Sequence, residues 1–385
     1  MADAGTAVCQ AEISEKYLRM PDDELTRAIW RAKEKLGKRL TILGHHYQRD
    51  DVIQFADFRG DSLKLSQQAA ATDEADYIVF CGVHFMAETA DILTAPRQKI
   101  ILPDINAGCS MADMAGLDEV EECWDYLTGK FGDSIIPVTY VNSTAEIKAF
   151  VGERGGLTCT SSNAHKIMEH AFKEKERILF LPDQHLGRNT AYKLGVPLNR
   201  TAVYDPMEIA LEFPHGQSGA DNEGDDEADG NGGGGDAPKV ILWKGHCSVH
   251  MLFTPHHIRN VRERHPGVRV LVHPECTYDV VLCSDENGST SYIVNAVKNA
   301  PAGTKWAIGT EHNLTHRLAA EHPEQEVMSL NPMICPCITM NRIDRPHLLW
   351  SLESLLEDNP VNVIEVPEDV RKSSRLAIDR MMALS

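Results

Sequence analysis

A chain of 385 residues, 42% hydrophobic and 25% charged, is long enough for two or three cores and has the composition of a globular protein. Its net charge of −19 argues against a nucleic-acid or anionic-membrane partner. No apolar run reaches the roughly 18 residues of a membrane span, and Met1-Ala-Asp-Ala-Gly5 has no secretory character, so a cytoplasmic location without membrane attachment is expected.

Residues 1–23 read as a polar tail. Pro21-Asp-Asp-Glu24 looks like a helix start, Leu25, Ile29 and Leu36 supply an apolar face, and Gly37 supplies the stop. A first unit, 24–125, then alternates strands and helices. Arg39 to Leu43 reads as a buried strand opening into Gly44-His45-His46-Tyr47, and a helix over 51–58 leads to Gly60-Asp61-Ser62 and a second helix. Strands at Tyr77–Cys81 and Lys99–Leu102 follow, the last leading to Cys109.

A second unit, 126–255, repeats the plan. A strand at Ser134–Thr139 opens into Tyr140-Val-Asn142. Cys159-Thr160-Ser161 precedes a helix, a strand at Arg177–Leu181 runs into Pro182-Asp-Gln-His185, and Val240–Trp243 leads to Cys247 and His250. A third unit, 256–345, repeats it again. Val268–Val272 opens into His273-Pro-Glu275, Gly288-Ser289-Thr290 precedes a helix, Lys305–Ile308 runs into Gly309-Thr310-Glu311-His312, and Val327–Leu330 leads to Cys335. Residues 346–385 read as helical and packed on the outside.

The spacings support the repeat. Ser62 to Cys109 is 47 residues and Thr290 to Cys335 is 45, whereas Ser161 to Cys247 is 86. The excess of about 40 falls where an acidic, glycine-rich stretch sits, about 214–238, which reads as a flexible insertion. The expected fold is α/β: three homologous αβα sandwich domains with parallel sheets around a pseudo-threefold axis. Sites in such sheets form at the carboxyl ends of the strands, so the active site is expected at the central junction.

Ten cysteines in a chain of this length are not a small disulfide framework, and loop cysteines in a reducing compartment are more often metal ligands or catalytic groups. Three widely separated cysteines, Cys109, Cys247 and Cys335, suit a cubane iron–sulfur cluster with one iron free of protein thiolate. Cys9, Cys81, Cys123, Cys159, Cys276 and Cys283 read as small apolar residues. Ser62, Ser161, Ser289 and Thr290 precede helices, where they can cap and where free N–H groups can bind carboxylate or phosphate. His45, Tyr47, Tyr140, Asn142, His250, His273 and Glu275 stand at strand ends as proton carriers or polar contacts, with His46, His84, His185 and His312 as weaker candidates.

These motifs resemble the quinolinate synthase family over nearly the whole chain, Leu40 to Asn341. They are Leu43-Gly-His-His-Tyr-Gln48, Leu102-Pro-Asp-Ile-Asn-Ala-Gly-Cys-Ser-Met-Ala-Asp113, Tyr140-Val-Asn-Ser143, Pro182-Asp-Gln-His-Leu-Gly187, Trp243-Lys-Gly-His-Cys-Ser-Val-His250, His273-Pro-Glu275 and Cys335-Pro-Cys-Ile-Thr-Met-Asn341. The resemblance implies a transferase of NAD biosynthesis that condenses iminoaspartate with dihydroxyacetone phosphate, losing phosphate and two waters. It implies one [4Fe–4S] cluster held by Cys109, Cys247 and Cys335, where Cys335 is preferred to Cys337 for its Cys-Pro context. Tyr47, Glu275, His273 and Tyr140 would be catalytic. His45, Ser62, Tyr140, Asn142, Ser161, His250, His273, Glu275, Ser289 and Thr290 would bind substrate. It further implies a functional link to an L-aspartate oxidase or dehydrogenase supplying iminoaspartate. Two other classes remain open at this point: another cluster-dependent hydratase, and an iron–sulfur redox sensor.

Overall fold

Each unit opens with an apolar, β-branched run too short for a helix, and each run forms a buried parallel strand. The structure is a computed structural model that describes residues 12–213, 237–333 and 336–384. In the first unit the strands are β1 (Leu40–His45), β2 (Phe58–Gly60), β3 (Tyr77–Cys81) and β4 (Lys99–Ile101). The second holds β5 (Ile135–Tyr140), β6 (Leu157–Cys159), β7 (Arg177–Leu181), β8 (Thr201–Asp205), β9 (Ala210–Glu212) and β10 (Val240–Trp243). The third holds β11 (Arg269–Val272), β12 (Glu286–Asn287), β13 (Lys305–Gly309) and β14 (Glu326–Ser329).

The three sheets share one parallel order: β2-β1-β3-β4, β6-β5-β7-β10 and β12-β11-β13-β14. The first strand of each sheet lies second in the order, and its carboxyl end carries His45 and Tyr47, Tyr140 and Asn142, or His273 and Glu275. The α/β architecture of three parallel sheets flanked by helices therefore stands.

The structure departs from the sequence reading in three places. No single helix spans 51–58; Asp50–Ile53 is one short turn of helix, and Phe58–Gly60 pairs with β1 instead. Backbone pairing there overrides weak helix propensity. The excess length of the second unit is partly folded: β8 pairs with β10, and β9 closes the edge antiparallel to β8. Most of the 214–238 stretch, like Cys9 and Cys335, lies outside the described residues.

The polar N-terminal segment contains a short helix, Glu15–Leu18, whose Tyr17 is buried and donates to Glu353 Oε2 at 2.8 Å. Residues after 345 contribute apolar side chains to the cores that they cover. The helix Arg345–Leu356 puts Leu348, Leu349, Leu352 and Leu355 into the first core, and β15 (Val363–Ile364) adds antiparallel to β4. The last helix, Glu368–Leu384, sends Ala377, Ile378 and Met381 into the cores of the second unit. These apolar positions are spaced at one helical face, and their burial is what fixes the tail. Among the described residues no helix is long and apolar enough to cross a membrane.

Candidate active site

The carboxyl ends of the three sheets face one cavity, which admits water centres over about 80 Å³, against the roughly 10–15 Å³ that holds a single water. The first unit contributes His45, Tyr47, Ser62 and Cys109 to its wall. The second contributes Tyr140, Asn142, Ser161, Cys247 and His250. The third contributes His273, Glu275 and Thr290, with Cys337 from the loop after β14. Ser289 stands just behind, as the N-cap whose hydroxyl accepts from Tyr292 N. His46, His84, His185 and His312 do not line the cavity; His84 pairs with Glu88 at 3.6 Å and His185 faces Arg188 at 3.4 Å.

Local sequence explains these placements. Ser62 and Thr290 are the first residues of helices capped by Asp61 and Ser289, so their backbone N–H groups are free of intrahelical partners. Gly245 lets the Cys247 loop run close beside the segment after β7: a Cβ there would lie 2.3 Å from the Pro182 carbonyl oxygen. Cys109 adopts extended backbone at the head of the turn Ser110–Asp113.

The polar wall is one connected network. Tyr140 donates to Glu275 Oε1 at 2.6 Å, and His250 Nδ1 lies 2.8 Å from Glu275 Oε2. His273 stacks on His250 with ring centroids 4.5 Å apart. On the other side Tyr47 Oη lies 3.1 Å from Thr290 Oγ1 and 2.9 Å from Thr310 Oγ1. Asn142 Oδ1 is buried without a protein partner, which leaves it open to a ligand donor.

Electrostatics assign the resting protonation. Burial lowers His45 and His273 to about 3, so both imidazoles are neutral near pH 7. Burial pushes Glu275 upward, but the His273 and His250 imidazoles and the hydrogen bonds from His250 and Tyr140 outweigh it and hold the carboxyl well below its usual range. Burial and the Glu275 carboxylate hold the Tyr47 and Tyr140 phenols well above theirs, so both are protonated. Among the described residues no lysine or arginine lines the cavity.

The donor set fits an iron–sulfur group. Cys109, Cys247 and Cys337 are free thiols, each partly exposed. Burial pushes Cys109 up to about 12 and Cys247 well above the usual range, yet backbone N–H groups of Ala112 and Met111 aim at the first sulfur and that of His250 at the second. Such donors favour the thiolate form that a metal requires. Met111 and Met340 add apolar cover. Sequence reasoning missed Asp61 as a wall residue and Thr310 behind the wall, and it kept Cys337 only as the less favoured alternative to Cys335. Asp61 reads locally as a cap, and Thr310 has no motif of its own; the one available sign was its place at the end of a repeated strand.

Residues 27–383 match the family model described as Quinolinate synthetase A protein. The quinolinate synthase of Anoxybacillus flavithermus is 58% identical over 369 residues, 96% of each chain. That of Geobacillus sp. strain WCH70 is 57% identical over 374 residues, 97% of each chain, and that of Bacillus subtilis 54% over 371 residues, 96% of each. Such likeness over nearly the full length goes with a small-molecule enzyme and an iron–sulfur cofactor. The chain belongs to the quinolinate synthase family and is a transferase of NAD biosynthesis.

Proposed function

We propose that this cavity condenses iminoaspartate with dihydroxyacetone phosphate and closes the pyridine ring of quinolinate, with loss of phosphate and two waters. The observation that carries the reading is the meeting of Cys109, Cys247 and Cys337 with Tyr47, Tyr140 and Glu275 in one enclosed space. A [4Fe–4S] cluster would be held by Cys109, Cys247 and one thiol of Cys335-Pro-Cys337. Its chemistry when bound is that of a Lewis acid at the iron without a protein thiolate, which polarises a substrate hydroxyl or carboxylate. For the third ligand we favour Cys337 over Cys335. Cys337 lines the cavity and stands eight residues after the end of its strand, Ser329, as Cys109 stands eight after Ile101. Cys335 lies outside the described residues.

The remaining residues bind anions and move protons. With no lysine or arginine among the described residues of the wall, carboxylate and phosphate groups are met by the helix N-termini at Ser62 and Thr290, the Ser161 hydroxyl and the imidazoles of His45 and His250. Asn142 Oδ1 accepts from a substrate amine or hydroxyl. Glu275, ionised, accepting from Tyr140 and with His250 Nδ1 2.8 Å from its other oxygen, is the base, and Tyr47 is the proton carrier on the opposite wall. His273, stacked on His250, fixes that ring. An L-aspartate oxidase or dehydrogenase would supply the labile imine.

The test is quinolinate formation by anaerobically purified protein given both substrates. Colourless protein that takes up no iron or sulfide on reconstitution would overturn the assignment. The hydratase and redox-sensor readings lose ground to the family match and to a buried rather than basic, surface-facing site.

A further inference from the structure

Two of the three walls are built on the same turn. In the first unit the Tyr47 N–H donates to His45 Nδ1 at 3.1 Å and the Gln48 N–H to the His45 carbonyl at 3.0 Å. In the third unit the Glu275 N–H donates to His273 Nδ1 at 3.4 Å and the Cys276 N–H to the His273 carbonyl at 3.0 Å. Each turn presents its proton carrier, Tyr47 or Glu275, two residues after a histidine. The peptide groups on either side of the carrier decide where its side chain points.

Those peptide groups are held from a neighbouring unit. Asn189, 2% exposed, stands on the helix Gln184–Lys193 after β7. Its Nδ2 donates to the carbonyls of Pro274 and Cys276, both at 2.9 Å, and these two carbonyls flank Glu275. An amide turned the other way would set its oxygen against two carbonyl oxygens, so the contact itself fixes which end donates. Arg317, buried on the helix His312–Glu321 after β13, does the same for the first unit. Its guanidinium donates to the carbonyls of His46, at 2.8 Å, and Gln48, which flank Tyr47. Its Nε is held by Asp50 Oδ1 at 2.6 Å. Asn189 and Arg317 each stand eight positions after the end of their strand, Leu181 or Gly309.

The remaining boundary supplies a contrast. Eight positions after Cys81, the end of β3, stands Thr89, whose hydroxyl donates back to the Phe85 carbonyl in its own helix. The turn in the second unit carries Asn142 where the others carry Tyr47 and Glu275, and its Ser143 carbonyl is met by Lys148 of the same unit. Among the described residues the clasp therefore occurs at the two turns that carry a proton carrier, and not at the turn that carries an amide.

We propose that Asn189 and Arg317 are positioning residues that aim Glu275 and Tyr47 from across the unit boundaries. Each grips main chain on both sides of its carrier, so it holds the carrier's backbone still without touching the reacting side chain. The proposal rests on the reading of Glu275 and Tyr47 as proton carriers.

The test is steady-state kinetics of cluster-loaded Asn189→Ala and Arg317→Lys, alone and combined with Glu275→Gln and Tyr47→Phe respectively, with iron per chain measured for each. A reacting group misplaced by about 1 Å can cost on the order of 10²-fold, so each single variant should lose about 10- to 100-fold in kcat, with KM within a few-fold and iron content unchanged. On Glu275→Gln, Asn189→Ala should cost less than about twofold further, because aiming a base has no effect once the base is gone, and Arg317→Lys on Tyr47→Phe should behave alike. A merely structural contact would cost the same factor in both backgrounds. Arg317→Lys keeps a positive charge but lacks the fork that reaches two carbonyls, so it tests the clasp without emptying a buried site even where Asn189→Ala folds poorly. Wild-type kcat at full iron content in the single variants, or an undiminished factor in the double variants, overturns the proposal. An unimpaired Glu275→Gln and Tyr47→Phe removes the reading of these two as carriers, whereas their impairment beside unimpaired Asn189→Ala and Arg317→Lys removes the clasps alone.

Discussion

The inner and outer halves of this molecule obey different rules. Around the cavity the three units share a plan, each with its first strand second in the sheet, a polar pair at that strand's end and a hydroxyl at or shortly before a following helix. On the outside they diverge. Helices Asp22–Leu36 and Arg345–Leu356 cover the first sheet, while Leu117–Phe131 and Glu368–Leu384 pack into the cores of the second, which carries two extra strands. Repetition is retained where three walls must meet on one reacting centre. The cover is free to vary, because any apolar face of suitable volume closes a sheet. Substitutions inside should therefore remove activity while sparing stability, and substitutions outside should do the reverse.

The largest effect belongs to the thiols. Cys109→Ser, Cys247→Ser and Cys337→Ser should each lose the cluster absorbance and essentially all quinolinate formation, whereas Cys335→Ser should keep both. Loss of the cluster in Cys335→Ser with retention in Cys337→Ser would reverse the assignment of the third ligand. Next comes Glu275→Gln, which keeps shape and removes the base; kcat should fall about 10²- to 10⁴-fold with the urea midpoint little changed. A rate within a few-fold of wild type would mean that Glu275 is structural.

These inner residues were mostly legible in the sequence, and the reason is physical. A strand end that must present His45, Tyr47, Tyr140 or Glu275 to a cavity is short, apolar and followed by a fixed turn, so its chemistry sits in a readable local pattern. Cys337 was not resolved from Cys335, because only Pro336 separates them and a loop has no periodicity that would show which thiol faces a cavity. The cover was harder to read. In the helix Arg345–Leu356 nearly every second residue is buried, which erases the polar stripe that marks a surface helix. Strands β2 and β9 are three-residue edge strands, too short to show a period, and β8 is held by β10, a partner distant in sequence.

The outer half is broken most directly at the C-terminal helix. Gly152, in the helix Ala145–Glu153, packs so closely that a Cβ would lie 2.0 Å from the Ser373 carbonyl oxygen. Arg380 donates to the carbonyls of Gly152 and Gly156 at 3.0 and 2.8 Å across the same contact. Gly152→Ala must push the two helices apart and should cost about 1–3 kcal/mol. Leu352→Ala empties a fully buried site in the first core and should cost about 2–5 kcal/mol. Both should leave the rate per bound cluster unchanged below the unfolding transition. A lowered kcat at full iron content in either would show that the cover also tunes the site.

The subtlest test falls at Lys148, on the boundary between the halves. Its side chain is fully buried, donates to the Ser143 carbonyl and lies 5.6 Å from the Phe85 ring centroid. Burial lowers its ammonium to about 8 from the ordinary 10.5, with Glu88 and Cys109 pulling the other way. Between those two values the unfolded chain binds more protons than the folded one, so stability rises with pH across the window, and the cost of the buried charge is fully present below pH 8. The shift corresponds to about 3 kcal/mol. Lys148→Met removes that cost but orphans the Ser143 carbonyl, a penalty of about 1–3 kcal/mol, so the two proteins should have similar urea midpoints below pH 8. As pH approaches 10.5 the wild type should gain about 3 kcal/mol on the variant. Parallel stability curves for the two proteins would mean that Lys148 is solvated in the folded chain, and that water reaches the boundary between the repeated interior and its cover.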